Sequence, residues 1–331
     1  MIRTGLAAPG RFQQHGFQIT SVAGTLGAAL VAAELFRLED AQCVNALGIA
    51  LSQSSGVFEF LTNGSTVKSL HAGWAAHGGV AAATFASAGL TGPATAFEGQ
   101  FGLFRRFAMD NVAADRFAYL IETLGTEWHL PLAAFKFYPC CHYIHPFIEA
   151  LEITLEQNPG RIIETIVCEV PPGAAALISD PWERKLKPQS GHEARYSLPI
   201  ALAARLVEGA VTPATFAAVP STAIVAKAAC ISARDMKDAD FPQRFEARLH
   251  VGFADGTASE TYVDDVFGGA RRPPSREAVL TKFRANAGLL GTTADVEALT
   301  ATVLSIEHNR ASAMSQALRR FQSIAVAHAA E

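Results

Sequence analysis

Two clusters of basic side chains carry the chemistry this chain can do. The first lies in residues 63–79, NGSTVKSLHAGWAAHGG, where Lys68 stands three residues before His71 with glycines on both sides. Asn63-Gly64 is a turn signal, and Ser65 or Thr66 suits the N-cap of the apolar run that follows. The spacing predicts Lys68 and His71 in the first turn of a helix, one above the other at i, i+3. Unpaired N–H groups and partial positive charge at a helix start attract carboxylates, so a lysine there marks a small-anion site. The second cluster is FKFYPCCHYIHP, residues 135–146, which holds Lys136, His142 and His145. Pro146 suits the first position of a helix and puts His145 near its N-cap. Structural readings stand beside these: a helix-start hydrogen bond for His71, a cap for His145, solvated helix surface for the lysine.

The elements that must position these groups are mostly helical. Thr20 or Ser21 caps a helix reaching about Leu38, with Val22, Leu26, Leu30 and Ala33 as its stripe and the other faces also apolar. Gly24 and Gly27 leave room for a second helix against it, and burial on most sides is expected. Asp40 caps a second helix through Val44, Leu47 and Leu51, the Lys68 helix follows, and residues 112–124 give another. The character changes near Pro131. Residues 161–170 alternate as a strand with Ile162, Ile166, Cys168 and Val170 on one face, and the polar stretch 180–191 reads as a loop. Helix returns at 197–208. Residues 244–253 and 257–263, joined at Asp255-Gly256, form a hairpin. Ser275 then caps the first of the closing helices. The expected fold is mainly α with an α+β part: a large helical bundle from 1–131, a smaller α+β lid from 132–270, and helices from 271–331 returning to the bundle. A cleft between the two would bring Lys68 and His71 towards Lys136 and His145.

Composition narrows the function. The 331 residues are half hydrophobic and 18% charged, enough for two domains with apolar surface left for a subunit interface. A net charge of −4 and the lack of any Lys/Arg-rich run argue against a nucleic-acid partner. Five irregularly spaced cysteines form no zinc pattern and no disulfide framework, which fits reduced thiols in the cytoplasm. The most apolar stretch, 22–36, is too short for a membrane span, and the N-terminus lacks a signal-peptide core.

Five segments, in order, resemble the MmgE/PrpD family: GFQITS at 16–21, KSLHAG at 68–73, EGQFG at 98–102, KFYPCC at 136–141 running on to His145-Pro146, and EARYSLP at 193–199. The resemblance implies a helical domain and an α+β lid with the active site between them. It also implies a homodimer, and catalysis on a small di- or tricarboxylate without metal or nicotinamide cofactor. Lys68 and Lys136 match the family's active-site lysines, His145 is their neighbour, and Tyr196 and Ser197 lie in the lid motif. The implied reaction is water elimination of the 2-methylcitrate dehydratase type, as in propionate catabolism, with decarboxylation and epimerisation on the same fold as alternatives. Lys68 and Lys136 would neutralise carboxylates and stabilise enolate-like charge, while His71 or His145 transfers the proton. Gln18 stands where the family places a histidine, and Ile200 where it often has tyrosine. Glutamine hydrogen-bonds substrate but is no general base. The chain is read as starting after a helical segment that supplies further site residues in the family. A competing expectation is therefore an impaired or split homologue that binds a carboxylate or needs a partner chain.

Overall fold

A computed structural model describes residues 1–328. Contacts divide them into two compact units, residues 1–133 with 138–264, and residues 134–137 with the described residues from 265 onward.

The first unit opens with helices α1 (Ile2–Ala7), α2 (Arg11–Gln14), α3 (Ile19–Leu35), α4 (Asp40–Gln53), α5 (Lys68–Ser87), α6 (Leu103–Arg106) and α7 (Ala113–Glu122). The long helices α3, α4 and α5 pack on one another, and Phe12, Val22, Leu26, Leu103 and Phe104 fill the core around their small residues. The closest approach is at Gly79 of α5: a Cβ there would fall 2.4 Å from Ala28 Cβ and 2.6 Å from Ala29 N. Helix α3 is less enclosed than its apolar sequence suggests, since Leu30, Val31 and Leu35 are exposed. Helix starts also shift by a residue or two. Gln18 caps α3 through its side-chain oxygen, and Glu39 with Gln42 makes a capping box for α4. Asn63 closes an Asx turn onto Ser65 N–H at 3.0 Å, and turn bonds to the Thr66 and Val67 carbonyls precede α5.

The same unit continues as an α+β layer. Helices α8 (His145–Gln157), α9 (Pro172–Ile178), α10 (Trp182–Leu186), α11 (Gly191–Ala194), α12 (Leu198–Glu208) and α13 (Thr222–Ala228) accompany strands β1 (Ile163–Val170), β2 (Ile231–Asp235), β3 (Ala247–Phe253) and β4 (Ala258–Val263). The sheet order is β2-β1-β3-β4, with β1 and β2 parallel and the β3–β4 hairpin antiparallel. Alternate residues of β3, from Ala247 to Phe253, point into the core with Phe147, Ile148 and Leu151 of α8. In β1 a register irregularity between Ile163 and Thr165 breaks the two-residue alternation. Ile163 is buried and Ile162 is exposed, opposite to the regular-strand expectation. The stretch expected as a loop at 180–191 contains helix α10 and the start of α11.

The second unit holds α14 (Arg276–Ala287), α15 (Thr293–Leu304) and α16 (Ala311–His328). Ser275 caps α14, and Thr292 with Asp295 makes a capping box for α15. The molecule is thus mainly α with a small mixed sheet. No helix of the described residues is long and apolar enough to cross a membrane.

Candidate active site

Lys68 is the first residue of α5 and His71 the fourth, so both stand in the first turn as their spacing requires. The half-buried Lys68 ammonium donates a hydrogen bond to the Tyr196 hydroxyl. It also lies over two rings, 4.9 Å from the Tyr196 centroid and 5.8 Å from that of Phe60. Burial lowers its pKa, with the nearby Cys141 thiol opposing the shift. Tyr196 moves the other way: burial and Cys141 raise its pKa, against the Arg195 charge, so the phenol stays protonated at neutral pH. The pair is a cation holding a neutral O–H donor in place.

Tyr196 owes its position to a tightly tied segment. Ser190 caps α11 by accepting from Glu193 N–H at 3.1 Å. Glu193 in turn accepts from Arg184 Nε at 2.6 Å and from Gln189 N–H at 2.8 Å. Burial alone would raise the Glu193 pKa, but these donors outweigh it and hold the carboxylate ionised. Ser197 is spent on structure: it caps α12, accepting from Ile200 N–H at 3.2 Å, and donates to the Lys185 carbonyl at 2.5 Å. Gly64, with φ +66°, lies against this segment, since a Cβ there would sit 2.9 Å from Glu193 Cβ. A cavity of about 190 Å³ opens beside Tyr196, walled also by Phe60, Arg184, Lys185, His192 and Glu193. The Lys185 ammonium donates to the Leu177 carbonyl at 2.6 Å. Its burial, together with Arg184, lowers its pKa to about 8, against Cys141 and Glu193.

His71 faces a second, larger cavity of about 630 Å³, lined by Gly56, Val57, Phe60, Leu70 and Trp74 among others. Phe60 belongs to both walls. His71 is 7% exposed, its ring packs edge-on to Phe60, and its buried Nδ1 has no hydrogen-bond partner. Burial, then the Lys68 charge, lowers its pKa, so the imidazole is neutral at pH 7. Gln18 is nearby through the backbone: its N–H donates to the Gly56 carbonyl at 3.0 Å. Its side-chain oxygen accepts from Thr20 N–H at 2.6 Å, which engages that oxygen in capping.

His145, first residue of α8, is 2% exposed and packs its ring against Tyr138 and His142 at 5.2 and 4.8 Å. Lys136 is exposed and belongs to the second unit, where Phe135 N–H donates to the Gly268 carbonyl at 3.0 Å. The sequence reading takes Lys185 as part of a solvated loop and does not single out His192. A signal is present for both: Lys185 lies in the polar run 180–191 and His192 directly follows it, next to the EARYSLP motif. Among the described residues, no group of three or more His, Cys, Asp or Glu side chains is placed to hold a metal ion.

A half-buried lysine bound to a protonated tyrosine, beside a cavity with further charged side chains, is an arrangement that can neutralise negative charge and deliver a proton. The family models agree with this architecture. The MmgE/PrpD N-terminal domain matches residues 2–114 and the MmgE/PrpD C-terminal domain residues 138–308. The chain belongs to the MmgE/PrpD family. Among curated proteins it is similar to the cis-aconitate decarboxylase of Mus musculus, 28% identical over 307 residues, 88% of this chain and 59% of the relative. The Homo sapiens protein of the same name is 28% identical over 306 residues, 88% and 60%. That of Aspergillus terreus is 24% identical over 307 residues, 88% and 62%. The chain therefore spans about three-fifths of the length of the curated relatives it matches.

Proposed function

We propose that this protein is a lyase acting on a small tricarboxylate, and that it breaks a carbon–carbon bond to a carboxylate. The observation that carries the reading is the Lys68–Tyr196 hydrogen bond beside a cavity lined by charged side chains of both signs. Loss of CO₂ leaves an electron pair on carbon, which spreads towards a remaining carboxylate. The Lys68 ammonium stabilises that charge, and the Tyr196 O–H is the acid poised to return one proton. The Tyr196 phenolate left behind is reprotonated from solvent, with neutral His71, across Phe60, as the relay. The decarboxylase names of the relatives favour this over the 2-methylcitrate dehydration expected from sequence, which needs the same cations but expels hydroxide.

A second reading is binding of the tricarboxylate without turnover. It is favoured by Gln18, whose side-chain oxygen caps α3 and which takes no proton near neutral pH.

Proton NMR in deuterated buffer with cis-aconitate, 2-methylcitrate and citrate tests both readings, with Lys68→Ala in parallel. Decarboxylation of cis-aconitate that disappears in the variant supports the lyase. Lysine-dependent loss of water from 2-methylcitrate transfers the assignment to a dehydratase, and lysine-dependent line broadening without turnover to a binding protein. Turnover undiminished in Lys68→Ala overturns the site.

A further inference from the structure

We propose that His192 is a substrate-binding residue of the Lys68–Tyr196 site, offering Nδ1–H as a neutral donor to a carboxylate oxygen lodged in the cavity beside Tyr196. The inference rests on the tricarboxylate reading above and adds to it a residue that neither the sequence motifs nor the spacing of basic residues singled out.

His192 forms part of the 190 Å³ cavity wall together with Tyr196, Lys185 and Arg184, and its ring centroid lies 5.8 Å from that of Tyr196. Its mounting is rigid. A Cβ on the preceding Gly191 would fall 2.3 Å from the Phe216 carbonyl oxygen and 2.8 Å from that of Ala218, so α11 lies directly on that backbone. On its other side Glu193 is fixed by Arg184, Gln189 N–H and Ser190. The side chain between these two anchors has little freedom to turn away.

The ring's own hydrogen bonding sets which nitrogen carries the proton. Nε2 is buried and has no partner. A proton on Nε2 would bury an orphaned N–H, which is rarer and costlier than an orphaned acceptor. The neutral ring therefore carries its proton on Nδ1. A second proton would put an unpartnered N–H⁺ at Nε2, and the surroundings oppose it as well: burial first, then the charges of Arg195 and Lys68, lower the His192 pKa. Arg195 Nε is itself buried without a partner in this segment. The cavity thus presents Lys185 and Arg184, balanced by the Asp180 and Glu193 carboxylates in the same wall, with a phenol from Tyr196 and an uncharged donor from His192. With the charges of the wall balanced in this way, a carboxylate oxygen lodged here depends on neutral donors, and His192 is one of them.

The test separates this inference from its parent. Long-range ¹H–¹⁵N correlation spectra of the full chain read the His192 tautomer directly, without and with tricarballylate, a tricarboxylate that lacks the double bond. The expected result is an Nδ1–H tautomer, uncharged at pH 7, whose ¹⁵N resonance shifts on tricarballylate addition. An Nε2–H or doubly protonated ring, or a resonance that does not respond to saturating tricarballylate while Lys68-dependent binding occurs, overturns the proposal. Asparagine places its amide near the Nδ1 position, whereas leucine keeps bulk without a donor. His192→Leu is expected to raise KM or Kd roughly ten-fold or more with kcat changed much less, and His192→Asn to stay within about three-fold. Equal affinity in His192→Leu and wild type, with Lys68→Ala impaired, overturns the role of His192 and leaves the parent reading intact. If Lys68→Ala is also unimpaired, the tricarboxylate site itself fails.

Discussion

Lys68 Nζ donates a hydrogen bond to the Tyr196 hydroxyl, tying the first turn of α5 to the residue two beyond the end of α11 across 128 positions of sequence. Each partner constrains the other. The phenol gives the amine an acceptor it would otherwise lack in a half-buried place, and the ammonium fixes which lone pair of the phenol is occupied.

Removing either side of that bond should cost activity far more than stability. Tyr196→Phe leaves Lys68 packed on two rings but takes away the proton donor. Turnover should fall roughly 10²-fold or more, with unfolding free energy lowered by about 1 kcal/mol. Lys68→Ala should fall at least as far. Steady-state kinetics beside urea unfolding curves check this; a Phe variant with wild-type turnover removes Tyr196 from the proton step.

The pH–rate profile should be displaced towards acid on both limbs. His71 is held below its ordinary 6.5, so its protonation limb lies below that value. Lys68 is held below 10.5, so loss of its charge begins earlier than for a free lysine. Lys68→Arg, if active, keeps its charge and should move the alkaline limb upward. The stability sign follows for His71: the unfolded chain binds the proton first as pH falls below 6.5, so folding stability drops there. His71→Leu should flatten that part of the stability curve.

On the sheet, Glu169 should set an acid limit to stability. Its carboxylate accepts from Arg234 Nη2 at 2.5 Å, from Arg248 Nη1 at 2.6 Å, and lies 3.0 Å from His250 Nε2. Burial alone would raise its pKa, but these donors bring it to about 2 from 4.5. The folded value is the lower one, so the stabilisation is complete above 4.5 and is lost as pH falls towards 2. Glu169→Gln should lower stability at pH 7 by about 3 kcal/mol and lose less on further acidification than wild type, measured by denaturant midpoints at pH 7 and pH 3.

Gly79→Val tests the helix packing behind the site. The new Cβ meets Ala28 Cβ and Ala29 backbone, which have no side chain able to swing aside. A loss of about 3 kcal/mol or more is expected, read from urea unfolding, and with it a looser α5 N-terminus and weaker tricarboxylate binding. A variant as stable as wild type would mean that α3 and α5 do not pack this closely in solution.

Much of this architecture could be read from residue order. The i, i+3 placement of Lys68 and His71, the β3–β4 hairpin at Asp255-Gly256 and the Ser275 cap all depend on local patterns, and local patterns are what a sequence displays. Ile162 misled because one irregular residue in β1 reverses the inward face, and alternation carries no mark of a bulge. The burial of Lys185 was hidden for another reason. A run of charged residues looks solvated until a distant carbonyl, here that of Leu177, and a neighbouring carboxylate, here Glu193, are brought to it by the fold. His145 likewise takes its surroundings from the fold, its ring packed against Tyr138 and His142.

The anchoring of Ser197 has a consequence for how such a site changes over generations. Its hydroxyl joins the carbonyl of Lys185 to the start of α12, so the intervening stretch that carries Lys185, His192 and Tyr196 is closed at its base like a loop held by a clasp. Residues within the clasp can be exchanged as long as Gly191, Glu193 and Tyr196, which tie it to the rest of the unit, are kept. Grafting residues 185–197 between relatives should therefore transfer ligand preference as one portable cassette, inherited whole rather than assembled residue by residue.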